Sequence, residues 1–336
     1  MAMSVRPGDY DFAPRLGAWD VTLDAMVPWD VKLGLSQQVV YLYGGFRDAE
    51  GNLYAIERKF IGPMTAGLWL MHNRNGDLEM DPGTTRSTRG EVRRQFGKDE
   101  HRYADQLMAR LGPELAPEGE QPLDLQVTQD GLSWDEGVLM SLQGRRLGPG
   151  LQIYCPRIDE SFLYLSHGYH VTGQVLGADV RGFVWLDHGY WPHGREWKEF
   201  VFFEDLQIGW EVFGNEYDDG TIEWGHLCRG RGGFTFGAIL DEDGLIASGT
   251  GLDVSMDLDD EEYVPRARFP LGDDVWEWTE DPMGKLRQFS TARWGGYRAQ
   301  VGHTQRVGDD RELVQDFTWL ECFSQRIRDE QVPGVA

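Results

Sequence analysis

The sequence is poor in cysteine and in positive charge, and it has no long apolar run. Its three cysteines, Cys155, Cys228 and Cys322, stand far apart and form no CxxC pair. An odd, scattered set argues against a disulfide framework and against a cysteine-rich zinc site, and it predicts reduced thiols in a cytoplasmic protein. Lys and Arg number 32 against 56 Asp and Glu, a net charge of −24 with no long block of either sign. Phosphate recognition needs a basic stripe, so the balance argues against nucleic acid and against an anionic membrane surface. The acidity reads instead as solubility. No apolar stretch reaches the length that spans a bilayer. The opening Met1-Ala-Met-Ser-Val-Arg-Pro-Gly8 lacks the apolar core of a signal peptide.

Aromatic residues and glycine are abundant. There are 13 Trp, 12 Tyr, 16 Phe and 43 Gly in 336 residues, a length comfortable for two domains. Aromatics favour strands and line apolar cavities. Turn signals recur between short aromatic runs, at Asp48-Ala-Glu-Gly51, Asn75-Gly76, Asp130-Gly131, Asp219-Gly220, Asp243-Gly244 and Gly308-Asp-Asp310. Candidate strands include Gln38–Gly44, Leu53–Phe60, Gly67–His72, Gly137–Leu142, Phe162–Leu165, Gln174–Ala178, Gly182–Asp187, Glu199–Leu206, Trp210–Asn215, Thr221–Leu227 and Leu313–Phe323. No alternation of strand and helix appears, so the expected class is all-β, as barrels or sandwiches with few helices. One helix is predicted over Asp99–Leu111, where Tyr103, Leu107 and Leu111 fall four apart. Asn73–Arg93 and Gly112–Pro122 read as loops or lids. A composition break at Cys155–Glu160 predicts two β domains, 1–158 and 159–336.

Side chains two apart on a strand share a face. In Arg181-Gly-Phe-Val-Trp-Leu-Asp-His-Gly-Tyr-Trp191, Phe183, Trp185 and Asp187 therefore share one face, and Val184, Leu186 and His188 the other. The last expected strand repeats the pattern, with Phe317, Trp319, Glu321 and Phe323 on one face. A third strand places Ile222, Trp224 and His226 together. An acid among aromatics has two explanations. It pairs with an arginine, for which Arg293, Arg298, Arg306 and Arg311 are available. Alternatively it borders an apolar cavity, where desolvation keeps it protonated and able to give that proton to a substrate.

Four of the eight histidines, His167, His170, His188 and His193, fall in one short region. Their spacing matches no standard zinc pattern, so no metal and no cofactor is expected. There is no Walker A loop and no GxSxG elbow.

The segment Gly173-Gln-Val-Leu-Gly-Ala-Asp-Val-Arg-Gly-Phe-Val-Trp-Leu-Asp-His-Gly-Tyr-Trp191 resembles a signature of the lipocalin-like carotenoid 1,2-hydratase (hydroxyneurosporene synthase) family. That group also takes in kievitone-hydratase-like proteins, fungal Diels–Alderases and AttH-type proteins. Gln37-Gln-Val-Val-Tyr-Leu-Tyr43 with Asp48-Ala-Glu-Gly-Asn-Leu-Tyr-Ala55 resembles its opening hairpin. Gly308-Asp-Asp-Arg-Glu312 with Trp319-Leu-Glu321 resembles its closing strands. The chain departs from the family's common Tyr-His-Asp phrase by carrying Trp185-Leu186 before Asp187.

The resemblance implies two consecutive lipocalin-like β-barrels or sandwiches and a hydrophobic small-molecule substrate, a terpenoid, polyketide or phenolic. It implies no cofactor, and an acid at Asp187, with His188 beside it, that protonates an alkene. The reading that follows is a hydratase, dehydratase, isomerase or cyclase. Asp187 is the general acid, and His188 or Glu321 orients it or activates water. His188 serves only if a bulge follows Asp187 and turns it to the same face. Phe183, Trp185, Tyr190, Trp191, Trp224, His226, Trp294 and Trp319 are the expected substrate wall. The alternatives are a binding protein without catalysis and a metal enzyme built on the four histidines. No stable membrane insertion is expected, and long hairpin edges leave room for a homodimer.

Overall fold

A computed structural model describes residues 14–26, 31–62, 64–81, 90–105, 123–156, 160–194, 199, 202–231, 234–291 and 293–331. The chain folds into two large antiparallel sheets. The first contains β1 (Arg15–Trp19), β2 (Val31–Lys32), β3 (Leu35–Arg47), β4 (Leu53–Ile61), β5 (Met64–His72), β6 (Glu79–Met80), β7 (Gly90–Phe96), β8 (Glu100–Asp105), β9 (Asp124–Thr128), β10 (Gly131–Asp135), β11 (Met140–Arg146), β12 (Gly150–Cys155), β13 (Phe162–Val175) and β14 (Ala178–Trp191). The second contains β15 (Gln207–Tyr217), β16 (Ile222–Gly230), β17 (Phe236–Asp241), β18 (Leu245–Thr250), β19 (Ser255–Met256), β20 (Arg266–Leu271), β21 (Asp274–Lys285), β22 (Tyr297–Arg306) and β23 (Leu313–Phe323). A C-terminal helix, Ser324–Gln331, follows β23. The all-β expectation holds. Among the described residues no helix is long and apolar enough to cross a membrane.

The first sheet closes into a barrel because β13 has two partners on one edge. Its first half pairs with β12 and its second half with β11, while its other edge pairs with β14 along its length. From β14 the ladder runs through β3, β4, β5, β7, β8, β9 and β10 back to β11. Closure removes the free edges of these strands. The second sheet runs β18-β17-β16-β15-β23-β22-β21-β20-β19.

Alternation along β14 then sorts its side chains. Val184 and Leu186 join the core inside the first barrel, with Leu42, Leu125 and Trp134. Phe183 and Trp185 join a different core, shared with Val212, Trp224, Phe317 and Trp319 of the second sheet. The outer face of β3 and β14 is thus covered by β15, β16 and β23. Two glycines permit the close approach. The ring of Phe317 lies on Gly45, leaving no room for a β-carbon there, and a β-carbon on Gly214 would come within 2.7 Å of Phe183 Cγ. Each sheet offers a glycine to the other's phenylalanine.

Several expectations are corrected. Residues 100–105 of the predicted helix form β8, in which His101 and Tyr103 are buried and Arg102 and Ala104 are not; residues 106–111 lie outside the described residues. That two-residue alternation outweighs the four-residue spacing of Tyr103, Leu107 and Leu111. Gln174–Ala178 is a hairpin end, turned by Leu176 and Gly177 at φ of 49° and 79°. Asn-Gly signals such a turn in sequence; Leu-Gly is easily read as strand. Within Glu199–Leu206, Phe202–Leu206 is a single π-helical turn. The predicted loop Asn73–Arg93 contains β6 and the start of β7, and Gly112–Pro122 lies outside the described residues. Apart from these, the first sheet runs through the β13–β14 hairpin to Trp191, and the second begins at Gln207.

Candidate active site between the sheets

The facing surfaces leave a cavity with about 750 Å³ of empty space, its mouth included. The first sheet supplies Tyr41 and Tyr43 from β3, Glu57 from β4 and Tyr164 from β13; the second supplies Trp210, Phe317, Trp319 and Glu321. Tyr41, Tyr43, Glu57, Trp210 and Glu321 are only half-buried although their strands are covered, because their exposed parts look into this space.

Asp187 is fully buried at one side of it. Its Oδ2 accepts hydrogen bonds from the hydroxyls of Tyr43 and Tyr164, each at 2.7 Å. His226 Nε2 lies 3.9 Å from the same oxygen. Among the described residues Oδ1 has no hydrogen-bond partner, nor has either ring nitrogen of His226. The cavity wall carries both tyrosines but not Asp187, so the hydroxyls stand between the carboxyl group and the cavity. Burial, and then the negative charge of Asp187, hold both phenols well above the usual tyrosine range. Trp185 stacks on Tyr43 at 5.8 Å and fixes that ring from behind. Arginine pairing does not explain the acids. Arg298 pairs with Glu262, Arg306 with Asp274 and Asp309, and Arg311 with Asp309 and Glu223. The side chain of Arg293 lies outside the described residues.

Glu321 reaches the wall directly. Its Oε1 accepts from Trp319 Nε1 at 3.2 Å, and Tyr297 gives it a second hydrogen bond. Glu57 faces it from the opposite sheet with no hydrogen bond to a described residue. Burial raises both carboxyl groups above the usual range, and the charge of Glu321 raises Glu57 further. Two carboxylates in one poorly hydrated space cannot both ionise easily, so the pair retains a proton.

The structure brings together Asp187, Glu321, Phe183, Trp185, Trp224, His226 and Trp319 on the inter-sheet faces. It separates others. His188 points into the first barrel, where Nδ1 meets Gln37 Nε2 at 2.6 Å and the ring stacks on His167. The bulge in β14 falls at Gly189/Tyr190, too late to turn His188 towards Asp187. Tyr190 lies on the same inner side, packed with Leu35, Leu163 and Leu165. Trp191 is buried in the inter-sheet core but does not border the cavity. The side chain of Trp294 lies outside the described residues. The four histidines do not converge. His167 and His188 share the barrel interior, His170 meets Glu216 at 3.0 Å, and His193 is exposed. No group of three or more His, Cys, Asp or Glu placed to hold a metal occurs among the described residues.

Sequence reasoning missed Tyr43, Tyr164, Glu57, Gln207 and Trp210. Two signals were available. Tyr41 and Tyr43 share a face of one expected strand, and so do Ala55, Glu57 and Lys59 of the next.

No protein-family model matches the sequence, and no curated protein matches it. Among solved structures, the chain is similar to a protein described as an AttH from Nitrosomonas europaea, at TM-score 0.42 and 15% identity, over 86% of this chain and 93% of that one. It is also similar to kievitone hydratase from Nectria haematococca, at TM-score 0.40 and 9% identity, over 94% and 99% of the two chains.

Proposed function

We propose that the inter-sheet cavity is the active site of a cofactor-independent hydratase, dehydratase or isomerase that works by acid catalysis on a hydrophobic alkene or alcohol. One observation carries the reading: a buried carboxyl group, held by two tyrosine hydroxyls, behind a cavity walled by aromatic rings.

In this reading Asp187 stores the proton and a tyrosine hydroxyl delivers it. Both hydroxyls donate to Asp187 Oδ2 at rest; for the transfer one of them turns, accepts the proton from Asp187 and gives its own to the alkene carbon. The cation formed is met by the π-faces of Tyr41, Trp210 and Trp319. Water then adds, with Glu321 taking its proton, or a neighbouring C–H loses its proton by the reverse path and the double bond moves. Phe183, Trp185 and Phe317 fix the rings that make contact, a positioning role.

The test is a panel of terpenoid, polyketide and phenolic alkenes and tertiary alcohols, read by mass spectrometry with wild type and Asp187→Asn. The reading expects one class to be converted by wild type and not by the variant. An Asp187→Asn protein as active as wild type removes the proton-donor role. A ligand that binds and returns unchanged from every incubation favours simple binding.

A further inference from the structure

The cavity holds more acid than its proposed chemistry needs. Glu57 and Glu321 face the same space from opposite sheets, with Glu57 the cross-strand partner of Tyr43. Four donors are committed to the acids: Tyr43 and Tyr164 to Asp187, Trp319 and Tyr297 to Glu321. Two acceptors beside them are not engaged. Glu57 makes no hydrogen bond to a described residue. Gln207 lines the same cavity, is 3% exposed, and its Oε1 has no hydrogen-bond partner among the described residues. An acceptor so buried loses its hydration without replacement unless a donor is brought to it.

The surrounding surface is aromatic. Tyr41, Trp210 and Trp319 line the same cavity, and aromatic faces attract positive charge. Among the described residues one cation is near. Lys59 lies two residues from Glu57 on the same face of β4, with Nζ 5.1 Å from the centre of the Tyr41 ring. Its charge acts on both carboxyl groups and offsets one of them. The other holds the proton that the pair retains, and a cation entering the cavity displaces that proton.

We infer that the space between Glu57 and Glu321 is a binding site for a hydrophobic ammonium ion, a protonated amine carried on an apolar body, with Glu57 as its principal counter-charge. Its N–H groups supply the donors that Glu57 and Gln207 lack, and its substituents take the aromatic wall. An anionic ligand is repelled by the same carboxyl groups. The inference rests on the proposed active site for its link to chemistry, since a protonated amine has the charge of the cation formed when an alkene is protonated. The binding site itself stands on the cavity wall alone.

The experiment uses four probes of one shape on the full chain: N,N-dimethyl-3-phenylpropylamine as the cation, 3-phenylpropanol as the neutral alcohol, 2-methyl-5-phenylpentane as the hydrocarbon isostere of the amine, and 4-phenylbutanoate as the anion. Binding is measured by calorimetry and tryptophan fluorescence at pH 7 on wild type, Glu57→Gln and Glu321→Gln, each checked for a native circular dichroism spectrum. The amine is expected to bind at least tenfold more tightly than the alcohol or the hydrocarbon, with the anion weakest. Glu57→Gln should cost the amine about tenfold and change the alcohol by less than twofold. Glu→Gln keeps shape and removes repulsion, so the variants should fold; the Glu321→Gln protein gives a second reading if one does not. An amine bound no more tightly than the alcohol, or bound equally by wild type and Glu57→Gln, overturns the inference. Amine selectivity that depends on Glu57, in a protein that converts no alkene or alcohol, upholds the site and defeats the hydratase reading. Conversion that depends on Asp187, in a protein indifferent to the amine, does the reverse.

Discussion

The ring of Phe317 rests on Gly45, and this contact sets the depth at which the second sheet meets the first. With Phe183 on Gly214 it forms a reciprocal pair of glycine–phenylalanine seats. The residues two and four places on, Trp319 and Glu321 from one strand and Trp185 and Asp187 from the other, are carried by alternation towards the same gap. A β-carbon at Gly45 has nowhere to go. Gly45→Ala is expected to destabilise the fold by about 1–3 kcal/mol, the usual range for overpacking a core. Urea unfolding measures this, and Gly45→Ala with Phe317→Leu should recover part of the loss because the two sites are in contact.

The hydroxyls of Tyr43 and Tyr164 make separate bonds to one oxygen of Asp187. If either can pass the proton, the single variants Tyr43→Phe and Tyr164→Phe should each lose about tenfold in kcat. That loss matches a hydrogen bond to a charged group at roughly 1.5 kcal/mol. The double variant should fall as far as Asp187→Asn, by ~10²-fold or more, a typical contribution of one proton-transfer group. Steady-state kinetics of the four proteins checks this; a double variant no slower than the singles argues against delivery through tyrosine.

How much of this was legible in the sequence follows from which relations are local. The face shared by Phe183, Trp185 and Asp187, and the one shared by Phe317, Trp319 and Glu321, follow from strand periodicity and are observed. The same rule correctly turned His188 away, and only a bulge could have rescued it. Tyr164, Tyr43 and His226 reach Asp187 from β13, β3 and β16, and strand pairing, not spacing, selects them. Glu57 and Glu321 meet across the two sheets, which no local pattern encodes. The barrel is also hidden, because it closes through one strand, β13, that changes partner halfway along its edge.

His167 and His188 stack inside the first barrel at 5.6 Å. Burial, then each other's charge, push His167 well below the usual range; burial pushes His188 down to about 3. The unfolded chain takes up a proton near pH 6.5, whereas the folded chain holds His188 neutral until about pH 3. Between those values the unfolded state binds more protons, so stability is full above pH 6.5 and falls as pH drops towards 3. Denaturant midpoints measured from pH 7 to pH 4 should decline, and His188→Gln should flatten part of that decline.

Glu211 gives the opposite dependence. It is buried among the second sheet's strands with Oε1 accepting from Thr304 at 2.6 Å and Oε2 without a partner, and burial raises it to about 8. From about pH 4.5 to 8 the folded state keeps a proton that the unfolded state has lost. Stability from this group is therefore present at low pH and is lost as pH rises through that window. Thermal melts of Glu211→Gln should show a gain over wild type that grows from pH 6 to pH 9; a constant offset would contradict the assignment.

Proton transfer from Asp187 to carbon can be followed directly by running the reaction in D2O on the alkene, either the substrate that the panel identifies or, for an alcohol substrate, its dehydration product run in the hydration direction. The account predicts one non-exchangeable deuterium on the carbon next to the new C–O bond or the shifted double bond, and no labelled product from Asp187→Asn. Product without carbon-bound deuterium, or wild-type labelling by Asp187→Asn, would contradict it.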